Sequence, residues 1–189
     1  MLRHRSVLVL ACVLAVACAG AADAKTYRVA GKQIVVDEDQ GTSKMRGGLI
    51  GGWAITAFEP LETAPVFYAR GTETFEGCLD RRRDRSCAGD PKGTLEFTFD
   101  YWAAFASEDP ASLIWGTCVH PIVKGTGGFA GAQGVIAMVD MPTPSGVQTR
   151  YEGTITLPGP HAARRLASAT RTVGRGCGPP DRRLRALRT

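Results

Sequence analysis

The chain has 189 residues, 44% of them hydrophobic and 22% charged, which suits one domain with one core. Its net charge of +5 is uneven: residues 161–189 carry eight Arg against one acid, whereas residues 25–160 carry 13 Lys and Arg against 16 Asp and Glu. The body is therefore mildly acidic and the high pI belongs to the tail, which argues against a nucleic-acid surface on the body itself.

Residues 1–24 read as a signal peptide. Arg3, His4 and Arg5 form a charged start, Val7 to Ala17 a short apolar run, and Ala22-Asp23-Ala24 a cleavage site. The run is too short to span a membrane. A rival reading makes Cys18 a lipidated terminus, since Leu14-Ala15-Val16-Ala17-Cys18 approaches a bacterial lipoprotein signal with Ala15 where Leu is usual. Both place the mature chain outside the cytoplasm, secreted or periplasmic. Its four cysteines, Cys78, Cys87, Cys118 and Cys177, then favour disulfides, with three pairings open. Cys78 with Cys87 is the favoured bridge, because the two bracket one polar loop. Cys118 with Cys177 would then staple the tail. No Cys-x-x-Cys occurs, so zinc and thioredoxin-like readings have no footing. No metal and no cofactor is expected.

Tyr27 to Val29 and Gln33 to Val36 read as short strands, followed by an acidic turn, Asp37-Glu38-Asp39, whose ligand set is incomplete for a calcium loop. Gly48 to Phe58 is a strand with Trp53, Ile55 and Ala57 on one face, and Glu59-Pro60 should end it. Val66 to Phe75 follows. The loop after it holds Arg81, Arg82, Arg83 and Arg85. These could meet an anionic partner, but Asp80 and Asp84 dilute the charge, and a solvated loop is the favoured reading. Thr94 to Phe99 alternates clearly, with Leu95, Phe97 and Phe99 inward. Tyr101 to Phe105 could be strand or a turn of helix. Leu113 to Val123 is a strand interrupted near Pro121. Val135 to Val139 and Thr149 to Leu157 flank a stiff turn, Met141 to Gly146. About eight short strands separated by turn signals argue for an all-β barrel or sandwich over residues 25–160. Residues 161–189 read as a basic, mostly unstructured tail.

Between two of these strands lies Gly125-Thr126-Gly127-Gly128-Phe129-Ala130-Gly131-Ala132-Gln133-Gly134. It lacks the Lys-Ser or Lys-Thr of a P-loop, and the spacing and following helix of a dinucleotide fingerprint. It reads as a tight corner with Phe129 plugging the core. The stretch, with Tyr151-Glu152-Gly153-Thr154-Ile155-Thr156-Leu157, Gly71 to Cys78 and Gly93 to Phe99, resembles the allene oxide cyclase-like barrels and, distantly, the dirigent proteins. The resemblance covers about residues 45 to 157. It implies a small closed antiparallel β-barrel with an apolar interior, homo-oligomers, and an isomerase or cyclase activity in which few polar groups act within an apolar cavity. No site residue is carried over from it.

The chemistry-bearing candidates are few. Cys118 and His120 sit two apart on one strand and share a face, as a thiolate–imidazole pair would require; a disulfide at Cys118 is the competing and favoured reading. Glu76 is a candidate interior carboxylate whose face the sequence does not fix, with a surface charge the favoured reading; Tyr151 is a candidate hydroxyl, Glu96 should face out, and Asp100 and Asp140 are further acids. Trp53, Ile55, Phe97, Phe99, Phe129 and Tyr151 would line a ligand cavity. Two functions remain in view. The first is an exported, non-catalytic barrel that binds a small apolar ligand; the second is the isomerase or cyclase of the resemblance.

Overall fold

The computed structural model describes residues 24–62, 65–109 and 112–159. The expected leader, Cys18, Cys177 and the Arg-rich tail lie outside them. Eight strands follow in order: β1 (Lys25–Asp37), β2 (Thr42–Gly47), β3 (Leu49–Glu62), β4 (Val66–Leu79), β5 (Lys92–Phe105), β6 (Leu113–Gly125), β7 (Gln133–Thr143) and β8 (Gly146–Leu157). Each pairs antiparallel with the next, and β8 pairs with β1, closing an up-and-down barrel. Closure leaves no free sheet edge. Among the described residues no helix is long and apolar enough to cross a membrane.

Period-two alternation decides what faces inward. On β5, Leu95, Phe97 and Phe99 are buried, while Glu96 lies outside and pairs with Lys124 at 2.9 Å. The two expected pieces of β1 join through Gly31, and Tyr101 to Phe105 continue β5 rather than coil into a helix. β3 runs past Pro60 to Glu62, because Pro60 falls where the register with β4 shifts and no ladder N–H is demanded of it. A second irregularity lies between Ile55 and Ala57. It turns Ala57 outward, opposite Thr72, and Phe58 inward, opposite Gly71, so the expected face of Trp53, Ile55 and Ala57 breaks at its last member. β6 is continuous through Pro121, which stays in register with Val135 of β7; its pairing with β5 slips between Ile122 and Lys124.

The glycine-rich corner closes the lower end of the barrel. Residues 127–129 form one 3₁₀ turn, and Phe129 drops into the core fully buried, against Phe75 at 6.1 Å between ring centroids. Gly127 has φ 58°, a left-handed conformation, and a Cβ on Gly125 would sit 2.0 Å from the Phe129 carbonyl oxygen. The loop after β4 lies at the same end and is closed by the expected Cys78–Cys87 disulfide. Replacing both cysteines with Ser is expected to cost about 2–3 kcal/mol, since the closed loop is short. Chemical denaturation with and without the bridge checks this.

Candidate functional site

The barrel interior holds one carboxyl–imidazole pair. On β4, Glu73 shares the inward face with Phe75, and Glu76 falls on the outward face and is exposed. Glu76 is thus corrected to a surface acid, and the interior carboxylate is Glu73. On β6, His120 faces it: Nε2 lies 2.9 Å from Glu73 Oε2, with the two side chains 1% and 8% exposed. His120 Nδ1 lies 3.1 Å from the Ile136 carbonyl oxygen. A carbonyl only accepts, so Nδ1–H donates there. The contact is short but not aligned as a hydrogen bond, and Glu73 Oε2 has no other partner.

Aromatic rings enclose this pair. Trp53 stacks on Phe97 at 4.6 Å and meets the imidazole edge-on at 5.4 Å; Phe99 lies 6.2 Å from the imidazole. A side chain that lines a water-sized chamber exposes surface to it, and Trp53, Phe97 and Phe129 are only 0–1% exposed. Five of the six expected cavity residues, Trp53, Phe97, Phe99, Phe129 and Tyr151, therefore fill the barrel. Ile55 alone is partly exposed, near the upper end. The core also buries Trp53 Nε1 without a hydrogen-bond partner, a cost of about 1–3 kcal/mol.

Tyr151 is a structural clamp. Its hydroxyl accepts from the Leu49 backbone N–H at 2.8 Å and reaches the Arg46 and Leu49 carbonyl oxygens at 3.3 Å, which fixes the turn between β2 and β3. Burial pushes its pKa from 10.0 up to about 12. The folded state thus holds a proton that the unfolded state loses above pH 10. Stability is fully present below that and falls between pH 10 and about 12, by about 1.4 kcal/mol per pH unit from this group. Tyr151→Phe is expected to flatten that part of the profile, read by urea unfolding across the range.

Cys118 shares the inward face with His120, as its spacing requires. It is a free, buried thiol, and its expected partner Cys177 lies outside the described residues. Burial raises its pKa, and the carboxylates of Glu73, Asp140 and Asp100 raise it further. That is the reverse of what an activated nucleophile needs.

The upper end is different. The turns after β1, β3, β5 and β7 leave Val35, Ile55, Phe58 and Val147 exposed although their register places them on the inward face. Phe58 is 51% exposed, yet it stacks on Phe67 at 6.3 Å and touches Phe99 at 6.2 Å. Phe67 in turn meets Tyr101 edge-on at 6.1 Å. Burial, then the neighbouring Asp140 carboxylate, raises the pKa of the Tyr101 hydroxyl. Thr149 donates to Asp140 Oδ1 at 2.5 Å. The mouth is therefore an aromatic shelf ending in a carboxylate held by the Thr149 hydroxyl, with Tyr101 beside it. Asp100 lies outside, bonded to Tyr68.

The carboxylates of Asp80, Asp84 and Asp90 come within 4.8 Å of one another in the disulfide loop. Arg81 pairs with Asp90 at 2.8 Å and Arg82 with Asp84 at 3.2 Å, so guanidinium supplies the counter-charge that a cation would bring.

What the fold and site define is a closed eight-stranded antiparallel barrel with a filled core and one apolar mouth. No protein-family model matches the chain, and no curated protein matches it.

Proposed function

We propose that this is an exported, non-catalytic barrel that binds a small apolar ligand at its open mouth, over Phe58, Phe67 and Tyr101. The observation that carries the reading is Phe58: half exposed, facing inward, and held in place by two rings below it. Water covers that shelf at a cost that an apolar ligand removes, at about 25 cal/mol per Å² covered. Asp140, with Tyr101 and Thr149, gives the ligand's one polar end a partner. The Cys78–Cys87 disulfide supports export, because such bonds persist in oxidising compartments. Exposed Trp102 and Trp115 on the outer wall support self-association, to be read by light scattering.

The test is a fluorescence titration with the neutral probe N-phenyl-1-naphthylamine, alongside native mass spectrometry of protein from its own host. Saturable binding that weakens at least about 10-fold in Phe58→Ser supports the reading, as loss of about half a ring's buried contact would do. Equal binding by Phe58→Ser, or none by either protein, contradicts it.

The isomerase or cyclase reading has one observation in its favour, a carboxyl group, Glu73, inside an apolar barrel. Against it, Trp53, Phe97 and Phe99 cover the Glu73–His120 pair, and a reactant has to reach a general base to within hydrogen-bond distance.

A further inference from the structure

The four arginines of the disulfide loop divide into two pairs with different work. Arg81 binds Asp90 and the Gly89 carbonyl oxygen, and Arg82 binds Asp84 and the Ala88 carbonyl oxygen. These two hold the loop together. Arg83 and Arg85 make no side-chain hydrogen bond or ion pair among the described residues, and both are exposed. They are also the two non-glycine residues with positive φ among those described, at 57° and 60°. That conformation costs roughly 1 kcal/mol or more per residue. The loop enforces it: Asp80 accepts backbone N–H bonds from Asp84 at 3.2 Å and Arg85 at 2.9 Å, and its own N–H anchors to the Gly48 carbonyl oxygen.

Arg83 and Arg85 overhang a groove of about 760 Å³ on the outer wall, near the lower end and away from the mouth. The register of three strands lays out its floor. Arg28, Thr154 and Val135 form one row across β1, β8 and β7, and Ala30, Glu152 and Ala137 the next. Gly47 and Gly48 close the side beneath the loop. Side chains in such rows stand about 5 Å apart. Arg28, like Arg83 and Arg85, has no ion-pair partner among the described residues. Three guanidinium groups without ion pairs among the described residues thus line one groove, whose floor is of small side chains apart from Glu152. The opposing charges are Asp80, turned to the loop backbone, and Glu152.

We infer that this groove is a binding site for a small organic anion, with its phosphate, sulfate or carboxylate group on Arg28, Arg83 and Arg85 and its body over Ala30 and Ala137. The volume falls within the ~300–1,000 Å³ of small-molecule sites. Guanidinium forks suit planar or tetrahedral oxyanions, and charge-assisted bonds of this kind are the stronger class. Glu152 lies beneath the body of the ligand and selects against a negative charge on the body itself.

The test is calorimetric titration of the mature protein with phenyl phosphate at low salt. Benzyl alcohol serves as the neutral control, and inorganic phosphate separates the anion from its body. The informative variant is Arg83→Gly with Arg85→Gly, because glycine relieves both left-handed positions and so keeps or raises the melting temperature while removing the charge. The expected result is binding of phenyl phosphate more tightly than inorganic phosphate and no binding of benzyl alcohol. The double variant should lose at least 10-fold in affinity, Glu152→Gln should gain, and N-phenyl-1-naphthylamine binding at the mouth should be unchanged. Phenyl phosphate binding that the double variant retains, or no binding by the wild type, overturns the inference. So does binding of a polyanion such as heparin without binding of phenyl phosphate.

Discussion

Replacing His120 with Ala is expected to destabilise the barrel by about 3–5 kcal/mol, the cost of stranding a buried carboxyl group without its partner. The Glu73 side chain is only 8% exposed, and its Oε2 has no aligned partner even with His120 present. Without the imidazole, the carboxyl group faces the rings of Trp53, Phe97 and Phe99. The Ile136 carbonyl oxygen loses its donor as well. Urea unfolding at neutral pH reads the loss. The double variant Glu73→Leu with His120→Phe separates the stranded charge from lost packing. Replacing a buried pair by apolar groups is often neutral or better, so the double variant should recover most of the stability. A cost for His120→Ala under about 1 kcal/mol would mean that the pair is not buried as described.

Phe129→Ala is expected to cost about 3–5 kcal/mol, the range for emptying an aromatic site in a packed core. Phe129 is the only large side chain in a ten-residue stretch otherwise dominated by glycine and alanine, so no neighbour in that corner can expand into the space. It is fully buried against Phe75, which contacts Trp53 at 6.2 Å, so the cavity would open beneath the central ring stack. Phe129→Leu should recover over half of the loss if volume is what matters. Thermal unfolding with both variants checks this, and equal losses would point to a specific ring interaction instead.

Much of the barrel was legible because its signals are local. Thr94 to Phe99 alternates strictly, and its three apolar residues are the buried ones. The glycine corner could only be a turn, and the one large residue in it had to find the core. Cys78 and Cys87 bracket a polar loop, which made theirs the favoured one of three pairings, and the bridge forms. What stayed hidden depended on parity and partners. Glu73 and Glu76 lie three apart and so on opposite faces; counting from Phe75 as an inward residue would have chosen Glu73. Phe58 could not be read at all, because the irregularity after Ile55 reverses the faces of β3 and no residue in the strand announces it. β2 was missed because Thr42 to Gly47 carries a single large apolar residue, Met45, and pairs between neighbours that supply the pattern. The division of labour among the four loop arginines depends on which acids reach them, which spacing does not encode.

A filled interior leaves the mouth as the place for the proposed ligand. The most direct measurement is a ¹H–¹⁵N NMR titration of the mature protein with N-phenyl-1-naphthylamine. Saturable shifts are expected at the amides of Phe58, Phe67, Tyr101 and Asp140, with the Trp53 indole N–H and the amides of Phe97 and Phe129 unmoved. Shifts centred on Trp53 and Phe97 would place the ligand inside the barrel and contradict a site at the mouth.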